Sequence, residues 1–403
     1  MVPLASTNKL RQEIERTFPE RPFTIEFWDG SRVPSTNGDG PTFSVCSPKA
    51  IAHLLRAPGQ LGIGRAYVSG ALEPSDLDDA LRTVDQWDPP PIDPRTRTRL
   101  MLAAVRGCGL TLPPRAPAAE LSPRGKLHSR ARDARAVRHH YDVSNEFFSL
   151  FLDSSMTYSC AIFSRGAKSL EAAQERKLDL VCRKLDLSEG DRVLDIGSGW
   201  GSFAIHAAQR YGARVLGITL SEPQASGARE RAAEAGVADK VEFKVMDYRD
   251  MAGERFDAVA SIGMVEHVGG ERIDLYARRL AELLRPGGRL LNHGISRLQH
   301  SDPNPGDFSQ RYVFPDGETL HLSRVLLALE RAGFETEHVE GFRDDYAETL
   351  RHWAERLDDN LPRAQQLAGK ERSRVWRLYL RAARNGFVTG FTSVYQVKCR
   401  LPE

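Results

Sequence analysis

Three glycines set one residue apart and led by an acid make the most telling segment of the chain, Asp195-Ile196-Gly197-Ser198-Gly199-Trp200-Gly201. Glycine has no Cβ, so a backbone built this way can turn sharply and lie close against a ligand. A short apolar run, Arg192 to Ile196, precedes the segment, and a helical pattern, Ser202 to Tyr211, follows it. A strand that turns through glycines into a helix belongs at the edge where open α/β sheets bind ligands. By itself, G-x-G-x-G suits a nicotinamide dinucleotide as well as a methyl donor. Two details separate the two. Asp195 stands two residues ahead of the first glycine. The next strand ends in Thr219-Leu220-Ser221, with Glu222 and Gln224 beyond, and offers no acid at its tip for a dinucleotide ribose. The loop therefore reads as a site for S-adenosylmethionine.

Two further segments fall at the same edge. Met246-Asp247-Tyr248 closes the third strand, where an acid and its neighbours can meet an adenine ring. Gly263-Met264-Val265-Glu266-His267-Val268 closes the fourth. A carboxylate and an imidazole at a central strand tip stand where a base is useful. Blander roles compete: Glu266 as an acid facing a helix dipole, and His267 as a hydrogen-bonded core residue.

Strands alternating with helices must position these groups. Strands are expected at Arg192–Ile196, Arg214–Leu220, Val241–Met246, Phe256–Ile262 and Arg289–Ile295. Helices are expected at Ser202–Tyr211, Glu222–Ala235 and Glu271–Leu284, the last closed by Pro286-Gly287-Gly288. Such alternation implies a parallel sheet covered on both faces. Ahead of it, Phe23 to Trp28, the Asp29-Gly30 turn and Phe43 to Val45 suggest a small α/β unit, with a helix before it. Pro89, Pro90, Pro91, Pro94, Pro113, Pro114, Pro117 and Pro123 break up the segment that follows. The expected division is 1–125 for the small unit and linker, and 126–403 for the larger domain.

The bulk numbers exclude more than they assign. The 403 residues carry 56 basic and 54 acidic side chains, so global charge selects no partner. Locally, Arg95 to Arg138 holds eleven Lys or Arg against Glu120 and Asp133. That stretch is either a solvated linker or a surface for phosphate. No aromatics are interleaved with it, which disfavours single-stranded nucleic acid. Cys46, Cys108, Cys160, Cys182 and Cys399 show no C-x-x-C spacing, so neither a zinc site nor a disulfide framework is expected. A reducing cytosol fits. No apolar run approaches eighteen residues, so a lipid substrate would be met from the aqueous side of the membrane.

Beyond the loop, the chain resembles the cyclopropane fatty acid synthase family and its mycolic acid relatives over roughly residues 137–400. The residues that carry the likeness include His139 to Val143, Tyr158-Ser159-Cys160-Ala161, Val193 to Gly201, Thr219 to Gln224, Gly263 to Gly269, His293-Gly294-Ile295, Arg311 to Pro315, and Asp345-Tyr346 before Thr349-Leu350. Gly62-Ile63-Gly64 and Tyr67 to Gly70 resemble the extra N-terminal domain of the phospholipid-acting members. The resemblance implies a Rossmann-like class I methyltransferase. Its mostly parallel seven-stranded sheet would carry helical lid insertions, and a small N-terminal α/β domain would precede it. It implies contacts to the methyl donor from Tyr158, Ser159, Asp195, Gly197, Gly199, Trp200, Gly201, Thr219, Leu220, Gln224, Asp247 and Tyr248. It assigns Cys160, Glu266, His293, Ile295 and Tyr346 to a bicarbonate ion, and no metal.

The substrate it implies is an unsaturated phospholipid, met peripherally on the cytoplasmic face of the membrane, by a homodimer. Methyl transfer to the cis double bond leaves a carbocation. Loss of a proton from the added methyl closes a cyclopropane, the favoured product. A prior hydride shift gives a 10-methylene branch, the precursor of a 10-methyl chain. Two departures stand out. Ala383 occupies a position where some members carry a cysteine, and Glu146 one where Asp is usual. A methyltransferase for another small molecule would have no need of Cys160, His293 and Tyr346 together. An inactive lipid carrier would not retain a complete anion site.

Overall fold

The computed structural model describes residues 7–109, 114–121, 144–298 and 308–403. The His139 to Val143 motif and residues 122–138 of the basic stretch lie outside the described residues. By contact density the chain forms two compact units. The first comprises Met1–Ser122, Asn304–Val313 and Gly369–Asn385, and the second Pro123–Pro303, Phe314–Ala368 and Gly386–Glu403. Two stretches late in the sequence therefore cluster with the N-terminal part.

The first unit holds a four-stranded sheet, β1 (Thr24–Phe27), β2 (Arg32–Val33), β3 (Thr42–Val45) and β4 (Leu72–Pro74), in the order β2-β1-β3-β4. Gly30, at φ 78°, makes the turn from β1 to β2. β1 runs parallel to β3 and antiparallel to β2. Leu10, Phe27, Val33, Val45, Ala103 and Ala104 meet in its core. Helix Pro94–Cys108 starts with proline at its first turn and with Asp93 accepting from the amides of Arg95 and Thr96. Its inner face is small, Ala103, Ala104 and Gly107. Its outer face leaves Met101, Leu102 and Val105 each 50% exposed among the exposed Arg95, Arg97, Arg99 and Arg106.

The second unit is built on seven strands: β5 (Arg192–Ile196), β6 (Arg214–Thr219), β7 (Val241–Val245), β8 (Phe256–Ile262), β9 (Leu284–Arg297), β10 (Glu335–Gly341) and β11 (Thr392–Arg400). Their order is β10-β11-β9-β8-β5-β6-β7. β5, β6, β7, β8 and β9 pair in parallel, whereas β11 is antiparallel to both β9 and β10. Both faces of the sheet are covered, which is why β5 is buried without alternation from Val193 to Ile196. Leu194, Ile196, Val259, Leu290 and Tyr276 fill one side, and Val193, Phe203, Val215, Phe243 and Leu291 the other.

Strand order reverses at β5, with β6 on one side and β8 on the other, so the loops after β5 and β8 open a crevice. β9 begins at Leu284 and carries Pro286-Gly287-Gly288 within it, where the sequence suggested only the end of a helix. Among the described residues, no helix is long and apolar enough to cross a membrane.

Candidate active site

The loop after β5 has Gly197, Gly199 and Gly201 at φ 79°, 54° and 83°, a region in which side chains are strained. The three serve different ends. A Cβ on Gly201 would come within 2.5 Å of the Phe243 ring, so this glycine is needed for packing. A Cβ on Gly197 or Gly199 would meet nothing closer than Met264 Sδ at 3.5 Å or Gln224 Nε2 at 4.0 Å. Neither position is crowded, and Gly199 in particular leaves room for a ligand. Trp200 is buried and donates from Nε1 to Asn145 Oδ1 at 2.8 Å. Thr219 donates its hydroxyl to Gln224 Oε1 at 2.9 Å, and Ser221 caps the helix carrying Gln224. Leu220, half-buried, follows the end of β6.

Asp195 is buried, and its Oδ2 has no hydrogen-bond partner. Burial raises its carboxyl to about 7, against the pull of the Lys177 charge. At the end of β7, Asp247 is gripped by Arg249, with Nη2 to Oδ2 at 2.6 Å. The Tyr248 ring packs edge-on to Tyr276 in the core at 5.7 Å, so a contact from Tyr248 to a ligand would run through its backbone.

The segment from Thr157 to Ser164 is fixed from beneath. Gln174 Nε2 donates to the carbonyls of Thr157 and Ser159. Asp345 accepts from the amides of Phe163 and Ser164 at 2.6 and 2.7 Å, and Thr349 Oγ1 accepts from the amide of Ala161. Ser159 Oγ accepts from the buried Lys177 ammonium at 2.9 Å. Tyr158 stacks on Trp353 at 5.2 Å and meets Phe148, whose ring in turn lies 5.0 Å from Trp200. An aromatic wall thus runs from this segment to the glycine loop.

The five residues assigned to an anion are joined through bonded backbone. Glu266 Oε1 accepts from the Ile295 amide at 2.6 Å. Ile295 pairs with Val394 across β9 and β11, and the Val394 carbonyl accepts from the Phe342 amide. The Phe342 carbonyl accepts from the Tyr346 amide at 3.0 Å and from Cys160 Sγ at 3.7 Å. His293 lies two residues from Ile295 on the same face of β9. Met264, two residues before Glu266, lies against Gly197.

Chemistry at these positions follows from burial. Cys160 is fully enclosed, and desolvation holds its thiol well above the ordinary range, so it is no nucleophile. Burial, aided by the charges of Lys177 and Lys184, drops His293 to about 3, leaving a neutral ring. Gln396 Nε2 sits 3.3 Å from His293 Nδ1. With the amide in this orientation its nitrogen donates to Nδ1 and the imidazole proton falls on Nε2, a buried atom with no partner. Burial raises Glu266 to about 7, and its Oε2 is likewise buried and unpartnered. The Tyr346 ring lies 4.7 Å from Phe387 and 6.1 Å from Trp353.

Gln396, Gln174 and Lys177 carry no signal in the sequence and emerge only from the fold; Asp345 and Thr349 belong to a motif of the family likeness, and the fold shows them holding the Thr157 to Ser164 segment. Glu146 pairs with Arg363 on the surface and brings no charge to the site. His267 packs against Phe314 at 5.7 Å, and burial lowers it to about 4.

The strand order and the crevice at β5 define a class I methyltransferase. The family model described as mycolic acid cyclopropane synthetase matches residues 128–397. The chain is 40% identical over 392 residues to a probable fatty acid methyltransferase of Mycobacterium tuberculosis, covering 93% of this chain and 90% of that protein. It is 32% identical over 395 residues to a tuberculostearic acid methyltransferase of the same organism, covering 95% and 88%. The crystal structure of a mycolic acid cyclopropane synthase complexed with S-adenosylhomocysteine and CTAB superposes with a TM-score of 0.63 at 32% identity, covering 66% of this chain and 98% of that one. This protein belongs to the mycolic acid cyclopropane synthetase family of S-adenosylmethionine-dependent methyltransferases.

Proposed function

We propose that this protein transfers the methyl carbon of S-adenosylmethionine to the cis double bond of an unsaturated acyl chain in a phospholipid and closes a cyclopropane ring. The observation that carries this reading is the linkage of Cys160, Glu266, His293, Ile295 and Tyr346 through one run of bonded backbone, with Met264 tying it to the glycine loop. The room left beside Gly199 and the unpartnered Asp195 Oδ2 fit the methyl donor. When bound, S-adenosylmethionine supplies an electrophilic methyl group. An alkene is a weak nucleophile, so alignment in a dry pocket matters most. Phe148, Tyr158, Trp200 and Trp353 keep water out, and their faces favour a neighbouring cation.

His293 Nε2–H and a protonated Glu266 are donors in a buried place, a set that fits a small oxyanion. Bicarbonate held there would supply negative charge beside a carbocation and a base for its proton. Tyr346 flanks the same place. Glu266, through its bond to Ile295, also fixes β9.

The phospholipid is met at a membrane surface by helix Pro94–Cys108, where Met101, Leu102 and Val105 are exposed among arginines. Apolar side chains ringed by cations suit anionic lipid.

A second reading, methylene transfer leaving a 10-methylene branch, draws support from the tuberculostearic acid methyltransferase, whose likeness spans 95% of the chain. Gas chromatography with mass spectrometry, after incubation with S-adenosylmethionine and oleoyl phospholipid vesicles, decides between them. A saturated ring product supports cyclopropanation. A product of equal mass that takes up hydrogen on mild reduction supports the branch. No gain of one CH₂ on any unsaturated lipid rejects both.

A further inference from the structure

Glu266 sits in a short turn after β8, and residues 314–320, which belong to no helix or strand, lie along that turn. The Phe314 ring meets His267 at 5.7 Å. The Glu318 amide donates to the Glu266 carbonyl at 2.9 Å, and Glu318 Oε2 accepts from the Gly270 amide at 2.7 Å. One residue thus grips the turn at Glu266 and again at Gly270, across the bend that Gly269 makes at φ 76°. A Cβ on Gly270 would come within 3.3 Å of Glu318 Oε1, so glycine there lets the carboxyl group close in.

Two residues on, the same segment holds β9. The Leu320 carbonyl accepts from the Arg297 amide at 3.0 Å and from Ser296 Oγ at 2.9 Å. Ser296 and Arg297 directly follow Ile295, whose amide donates to Glu266 Oε1 at 2.6 Å. Residues 318–320 therefore splint both partners of the Glu266–Ile295 bond. Glu266 is held at both ends, its carbonyl by Glu318 and one carboxyl oxygen by Ile295. With both ends fixed, its side-chain torsions no longer vary independently, and the direction of the buried, unpartnered Oε2 is set. Leu320 packs into the apolar core, whereas Glu318 is half-buried and polar, so its grip serves the turn rather than the core.

We propose that Glu318 is a positioning residue for methyl transfer: its two hydrogen bonds to the turn after β8 aim the free oxygen of Glu266 into the reacting pocket. This rests on the reading of Glu266 as part of an anion site and adds the residue that orients it. A group that orients a small oxyanion must be placed closely, since a shift of about 1 Å costs roughly a hundredfold in rate. Loss of the Glu318 carboxyl group releases Gly270 and slackens the hold on Glu266. The glycine loop is anchored separately, by the Gly197 and Ser198 amides on the Ile218 carbonyl at 2.9 and 3.0 Å, so donor binding does not depend on the grip.

Methyl-labelled S-adenosylmethionine and oleoyl phospholipid vesicles, with the full chain, test this. Glu318→Ala should lower kcat about tenfold or more, while affinity for S-adenosylhomocysteine stays within about twofold of wild type. Glu318→Gln keeps an oxygen that accepts from Gly270 and should bring kcat back to within about threefold of wild type. In a Glu266→Ala background, adding Glu318→Ala should cost less than about twofold, because residues that act as one unit do not add. Three results would each overturn the assignment: unchanged kcat in Glu318→Ala, ligand affinity that falls as far as kcat, or an equal loss with and without Glu266. Wild-type protein that moves no label into lipid would overturn the anion-site reading and the role of Glu318 with it.

Discussion

The Glu266 carboxylate accepts the Ile295 amide at 2.6 Å, binding the segment just after β8 to the last few residues of β9. The second oxygen of Glu266 is left over, buried and without a partner. One half of the side chain is thus structural and the other half is available to chemistry. Glu266→Ala and Tyr346→Phe are expected to bind S-adenosylhomocysteine within about threefold of wild type, yet to lose roughly a hundredfold or more in kcat. Unchanged turnover in both would remove the anion site from the mechanism.

Glycine at 201 and glycine at 199 answer to different demands. Gly201→Ala forces a methyl group against Phe243 in addition to a strained φ, and should destabilise the fold by about 2 kcal/mol or more. Gly199→Ala meets open space, so its cost in stability should be near 1 kcal/mol. Its loss should instead appear in affinity for S-adenosylmethionine. Urea midpoints and ligand titrations on the pair check this, and a reversed ranking rejects the division of labour.

How much of this was legible in the sequence follows from the same physics. Three glycines in five residues have few explanations, so the loop stood out, and β5 and β8 were bounded to the residue. Residues 335–341 did not read as a strand: ETEHVEG has one large apolar side chain, because β10 is an edge strand with little to bury. Lys177 sits in a helix among Glu, Arg and Asp, where a lysine reads as solvated; only tertiary packing shows that it points inward. Gln396 is one glutamine in a strand, and its meaning arises from a register that places it opposite His293. The membership of Cys160 and Tyr346 in the site came from family resemblance, since a cysteine and a tyrosine alone carry no such signal.

Asp195 and Glu266 have an effect on stability with a definite sign. Both carboxyls are raised in the folded state to about 7, from ordinary values of 3.8 and 4.5. Between those limits the folded protein binds more protons than the unfolded chain. Stability from these groups is therefore fully present below the ordinary carboxylate range and lost as pH rises through 7. Asp195→Asn is expected to flatten the decline in urea midpoint between about pH 5 and about pH 7.5. A variant with the wild-type slope would show that Asp195 ionises freely in the fold.

Helix Pro94–Cys108 offers a test that leaves the catalytic unit untouched. Arg95→Gln and Arg97→Gln should each weaken binding to vesicles rich in anionic lipid by roughly fivefold at low salt. Raising salt should narrow the difference. Binding that is indifferent to both salt and these substitutions would reject this helix as a lipid-facing surface.

β11 is the last strand in chain order, yet it lies inside the sheet between β9 and β10 and brings Gln396 to His293. Before β11 is made, β9 lacks its antiparallel neighbour and His293 lacks the Gln396 side chain beside it. The pairing of β11 with both neighbours reaches Arg400, so it forms only after that residue has been made. The sheet therefore cannot be completed from its N-terminal end: the slot between β9 and β10 stays open until the final strand fills it.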